Sequence, residues 1–264
     1  MPSAPSDAPS SADSADSVEA PRPLRQPAGF ATTRWSVVLH AGRAGSQPGS
    51  AHEALARLCR TYWFPLYAHV RRRGFSSHDA EDLTQAFFAR LLARQSIAQA
   101  DPTRGRFRAF ILTALNHFLA DEWDRARTEK RGGTRELLSL DMADAEDRFA
   151  QVADPGASPD RMFDREWAVA VLRTVLSRLE EEYDASGKAD LFAVLKPTLT
   201  GARDSQPYAE LAARLGRNEN AVKVAVHRLR QRYRALLQAE IADTVASDED
   251  ANAEMRALLA ALTP

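Results

Sequence analysis

The sequence predicts an all-α protein of two helical modules, and three observations carry that prediction. Ala, Leu, Arg and Glu dominate the composition, while Gly supplies only 12 of 264 residues, a bias toward helix formers. Apolar residues recur at three- and four-residue steps over long stretches, the signature of amphipathic helices. Two such stretches, 51–135 and 163–240, flank an acidic segment carrying Pro155, Gly156 and Pro159, which predicts two modules on a flexible acidic linker.

Composition narrows the function classes. A single cysteine, Cys59, leaves no internal disulfide and no all-Cys zinc cluster, which suits a reducing compartment. No apolar run approaches the roughly 20 residues needed to span a bilayer. Residues 1–20 lack the basic start and apolar stretch of a secretory leader. A cytoplasmic protein with no membrane partner is the expectation. The net charge of −1 averages over segments of opposite sign.

Taken in order, residues 1–29 are rich in Ser, Ala, Pro and Asp and bury too little to offset their ordering entropy, so a disordered arm is expected. An apolar lead-in follows, FATTRWSVVL (30–39), then a Gly/Ser/Pro loop at 41–50. The first long helix carries Leu55, Leu58, Cys59, Tyr62, Trp63 and Leu66 on one stripe. Pro65 lacks a backbone donor and is expected to kink or break it. Ser76 or Ser77 can cap the second helix, with Asp79 and Glu81 in its first turn. Its stripe is Ala80, Leu83, Phe87, Phe88, Leu91 and Leu92. After a polar loop at 95–105, a third helix aligns Phe107, Phe110, Ile111, Ala114, Leu115 and Phe118.

Residues 136–160 hold seven acids and one base, the composition of a solvated linker. The helical pattern resumes through Trp167, Val171, Leu172, Val175, Leu176 and Leu179, and a short piece at 188–200 is interrupted by Pro197. A helical pair occupies 208–238, and an acidic stretch leads to a short helix near 255–262. The expected organisation is therefore an arm (1–29), a first module (30–135), a linker (136–162), a second module (163–240) and a C-terminal extension (241–264).

The pair reads YAELAARLGRNENAVKVAVHRLRQRYRALL (208–237). Its first helix should stop at Gly216, which supplies a positive φ, and Asn218 should cap the second. Two helices joined by a tight Gly-containing turn make a helix-turn-helix. Residues 217–234 carry six bases against one acid, Glu219, and a positive helix of this kind suits a DNA major groove. The plain alternative is a solvated helical face that binds nothing.

Residues 51–135 hold fifteen bases and nine acids. Arg104, Arg106, Arg108, Arg125, Arg127, Lys130 and Arg131 interleave with Phe107, Phe110, Phe118 and Trp123. Arginine alternating with aromatic residues suits single-stranded nucleic acid, although most of those aromatics lie on the buried stripe. His78-Asp79 has no spaced histidine partner, so no metal is expected. Cys59 lies on an apolar stripe and reads as a buried thiol. No Gly-rich phosphate loop opens a helix, so no cofactor and no enzymatic activity are expected.

Three stretches, DAEDLTQAFFARLL (79–92), GRFRAFILTALNHFLADEWDRARTEKR (105–131) and the 208–237 pair, together resemble a bacterial RNA polymerase sigma factor of the extracytoplasmic-function (ECF) group. The first two resemble its region 2 and the third its region 4. The resemblance implies a protein that binds core RNA polymerase, recognises the −35 and −10 elements of promoter DNA and melts the duplex. It implies polymerase docking through Asp79, Glu81, Asp82 and Gln85. It implies a strand-facing −10 set of Arg104, Arg106, Phe107, Arg108 and Asn116. It implies −35 contacts from Asn218, Asn220, Lys223, Val224, His227 and Arg228, and it admits an anti-sigma factor or another regulator as a further partner. The chain departs from the minimal pattern in its arm, in the long 165–207 stretch, in Ala225 where a basic residue is frequent, and in the extension after Glu240. A stand-alone helix-turn-helix regulator binding duplex operators is the alternative. A hydrolase on a helical His-Asp scaffold is a distant third.

Overall fold

The computed structural model describes residues 48–93, 106–128, 144–152, 156–199, 207–245 and 247–263, with side chains of the first helix described from residue 60. The arm, the lead-in, the 95–105 loop with Arg104, and the Cys59 thiol lie outside the described residues. Every described residue falls within one compact unit, Thr32–Pro264. Among the described residues all regular structure is helical.

Helix α1 (Pro48–Arg72) continues through Pro65, so the break that the proline could have made does not occur. The cost of the missing donor is met by packing: Tyr62, Phe64, Leu66, Tyr67, Ala68 and Val70 around it are all buried. Helix α2 (Ser77–Ala93) starts at a Ser76 cap, whose Oγ accepts from the Asp79 N–H at 3.1 Å and donates to its carboxylate at 2.7 Å. Helix α3 (Phe107–Thr128) lays Phe107, Ile111, Leu115, Phe118 and Leu119 into the same core.

The stretch read as linker is, in its described part, ordered. Residues Ala145–Val152 form helix α4, and α5 (Pro159–Ala185) begins inside the expected boundary, capped by Ser158 with Pro159 in its first turn. The acids that suggest a solvated run find bases distant in sequence. Arg71 donates to both Glu146 oxygens, at 2.5 and 2.9 Å, and Tyr67 donates to the same carboxylate. The Arg71 hydrogen bonds hold the Glu146 carboxyl below the usual range, a charge-assisted pairing. Arg148 lies 3.4 Å from the centre of the Phe64 ring, and burial pulls its pKa down to about 10.

Helix α5 packs along α1 and joins two cores. Its first half places Met162, Phe163, Trp167, Ala168 and Val171 in the cluster with α1 to α3. Its second half places Val175 and Leu179 in another cluster. That second core is completed by α6 (Ala189–Leu195), a 3-10 turn (Lys196–Leu199), α7 (Tyr208–Leu215) and α8 (Glu219–Ala242). The last helix, α9 (Asp248–Ala261), is capped by Ser247. It lies on α5 and α8 and inserts Leu258 into the first core.

Candidate functional site

The α7–α8 pair forms as its residues dictate. Gly216 ends α7 at φ 59°, ψ 33°, the left-handed geometry that an L side chain resists. Asn218 caps α8, its Oδ1 accepting from the Ala221 N–H at 2.7 Å. Val222, Val226, Leu229 and Leu236 face the core. This leaves Asn220, Lys223, Val224, His227 and Arg228 on the exposed side of the helix. Lys223 pairs with Glu219 one turn back at 2.8 Å. Two cations of the basic count are structural. Arg230 donates to the Thr198 carbonyl at 2.8 Å, and Arg232 makes a two-pronged contact with Glu182 at 2.5 and 2.7 Å. A groove of about 680 Å³ runs beside the exposed face, lined among others by Tyr183, Lys188, Asn218, Val224 and Arg228.

At the opening of α2, Asp79 and Asp82 are exposed, and Glu81 and Gln85 are half-buried. Asp82 lies 3.7 Å from His78. Carboxylates at a helix start are favoured by the unpaired N–H groups there; the acid of the first turn is Asp79, while Glu81, expected in that turn, lies just beyond it.

The start of α3 differs most from expectation. Phe107, read as strand-facing, is a core residue, its ring edge-on to Tyr62 at 5.2 Å. A phenyl ring that begins an amphipathic helix gains more from the apolar face than from solvent. Arg106 and Arg108 flank it and converge on one carboxylate, Glu254 of α9. Arg106 Nη1 lies 3.0 Å and Arg108 Nε 2.9 Å from the Glu254 oxygens. Arg108 also pairs with Asp164 and stacks its guanidinium 4.6 Å over the Trp167 ring. Burial disfavours its charge, but the Glu254 and Asp164 carboxylates outweigh that and raise its pKa. Asn116 is half-buried, its Oδ1 3.1 Å from His69 Nε2.

Sequence reading gave no reason to single out Glu254 and Asp164 for the arginine cluster. Trp123 is 60 % exposed, on the same helix as the buried Phe107 and Phe118, so the aromatic row divides between core and surface. Among the described residues no group of His, Cys, Asp or Glu is placed to hold a metal ion, and no helix is long and apolar enough to cross a membrane.

Residues 58–129, spanning most of α1, all of α2 and α3 and the loop between them, match the family model for sigma-70 region 2. The chain therefore contains a sigma-70 region 2 domain, which supports a role in RNA polymerase binding and promoter recognition. No curated protein matches, and no solved structure matches.

Proposed function

We propose that the chain is a dissociable initiation subunit of bacterial RNA polymerase, a sigma factor of the ECF group. The observation that carries the reading is the region 2 match over residues 58–129, on helices that expose Asp79 and Asp82. In this reading Asp79, Glu81, Asp82 and Gln85 dock on a basic surface of the polymerase, where complementary charge steers the encounter and sets its register. Arg104, Arg106, Arg108 and Asn116 line the path of the melted −10 strand. Flipping a base out of the stack costs about a few kcal/mol, and cationic side chains beside the strand offset part of that cost through its phosphates. The Phe107 ring contributes as a wedge in the core that fixes the angle of the two arginines.

The second module reads the −35 duplex. Residues Asn218, Asn220, Lys223, Val224, His227 and Arg228 share the exposed face of a capped helix, the surface that a major groove admits. Promoter DNA and core polymerase are the partners, with an anti-sigma factor or another regulator as a further one. The protein performs no catalysis of its own. Purified chain added to core polymerase, with a library of genomic fragments as template, should give transcripts sharing 5′ ends and upstream elements. Duplex binding by the chain alone, with no gain in initiation, would identify an autonomous operator-binding regulator instead.

A further inference from the structure

We propose that α9 is an intramolecular latch: Glu254 occupies the two guanidinium groups that an anionic DNA strand would otherwise engage. The proposal rests on the reading of Arg106 and Arg108 as strand-facing. Glu254 is 1 % exposed, and its carboxylate is held by groups from the opening of α3, at 3.0 Å from Arg106 and 2.9 Å from Arg108. A carboxylate bridging two arginines presents the charge and oxygen geometry that a phosphodiester presents. The same chain segment meets the site a second time. The Phe107 N–H, at the first turn of α3, donates to the Thr244 carbonyl at 3.3 Å.

The latch is held from behind by apolar contacts. Val245, Ile241 and Leu258 are buried, and Ser247 restarts the chain as a helix by accepting from the Asp250 N–H at 3.2 Å. The outer side of α9 is open, with Leu259 and Leu262 exposed. Leu258 is buried in the first core and Ala251, Met255 and Ala261 pack against it; an element attached by one face and a charge-based grip can open while the core beneath it stays folded. Arg108 keeps Asp164 and the Trp167 ring when Glu254 departs. Arg106, 31 % exposed, is the group released to the strand. A free chain is thereby held from single-stranded DNA, and binding of DNA and release of α9 are reciprocally coupled.

The test measures binding of a fluorescein-labelled single-stranded oligonucleotide to the full chain by anisotropy. Glu254→Gln keeps the shape and removes the charge. Glu249→Gln removes an equal charge from the same helix at an exposed position. The latch predicts about 5-fold or tighter binding for Glu254→Gln, within the usual range of coupling between sites, and binding near wild type for Glu249→Gln. Equal effects of the two variants, or no gain in a folded Glu254→Gln protein, overturn it. If Glu254→Gln does not fold, hydrogen exchange of the wild-type chain decides. Amides of 248–261 should exchange faster with the oligonucleotide bound, and unchanged or slower exchange there overturns the latch. Transcription with core polymerase is read separately. Its failure in wild type and variant alike would remove the sigma reading, and the oligonucleotide contrast would still report on the latch.

Discussion

Burial sets the protonation of His69. Its side chain is fully buried, and desolvation lowers its pKa from the ordinary value, with Arg73 adding to the effect while Asn116 and Asp160 oppose it. The unfolded chain, with an ordinary histidine pKa of about 6.5, therefore takes up the proton first as pH falls. Stability is full above about pH 6.5 and is lost as the pH descends toward the folded pKa. The midpoint of thermal unfolding should drop between pH 7.5 and 5.5. Glu146, held low by Arg71, acts further down, its contribution being lost from the ordinary carboxylate range downward. His69→Gln, which retains a donor toward Asn116, should flatten the upper part of this dependence. An unchanged slope in that variant would assign it elsewhere. At Asn218 the prediction is local. Removing the cap with Asn218→Ala should cost about 0.5–2 kcal/mol, read as a fall of about 2–4 °C per kcal/mol with the helical circular dichroism otherwise retained.

At the scale of elements, what was legible divides by sequence distance. The α7–α8 turn was readable because its determinants, Gly216 and Asn218, act within three or four residues of themselves. The Ser76 start of α2 was readable for the same reason. Helix α4 was not, because Glu146 is satisfied by Arg71, 75 residues away, and an acidic run shows no partner at that range. Pro65 misled because the covering of α1 by α5 is a tertiary fact that overrides a local penalty. Glu254 reaches Arg108 across 146 residues, so the charge cluster at α3 read as free for DNA. The acidic opening of α2 gives the element-scale prediction. Asp79 is the acid of the first turn, and the helix-start effect fades beyond that turn, so reversing Glu81 and Asp82 together should leave a folded protein. The same double reversal should abolish retention of core polymerase on the immobilised chain and leave duplex binding by α8 intact. The wild-type association should weaken with salt, since exposed charges are screened beyond about 8–10 Å. Undiminished retention after the reversal would remove the docking assignment.

Across the whole molecule, two helices tie the cores together. Helix α5 contributes Val171 to the first cluster and Val175 to the second, one helical turn apart. Helix α8 contributes Leu236 to the second and Ile241 to the first, with Leu237 packed against both. The Arg178–Glu240 pair, 2.9 Å apart, joins the two helices at the crossing. Neither core can lose order without exposing a face of a helix that the other needs, so the wild-type protein should unfold in one calorimetric transition. The link can be cut at Thr174, which sits between the clusters and is half-buried. Thr174→Pro removes the N–H at that turn and clashes with the preceding one, a penalty of about 3 kcal/mol placed where the two halves share a helix. The variant should then show two separated transitions, with the second core melting apart from the first. A single transition of lowered midpoint in Thr174→Pro would mean that α8 suffices to couple the halves. Two transitions already present in the wild type would mean that the shared helices transmit less than their burial implies.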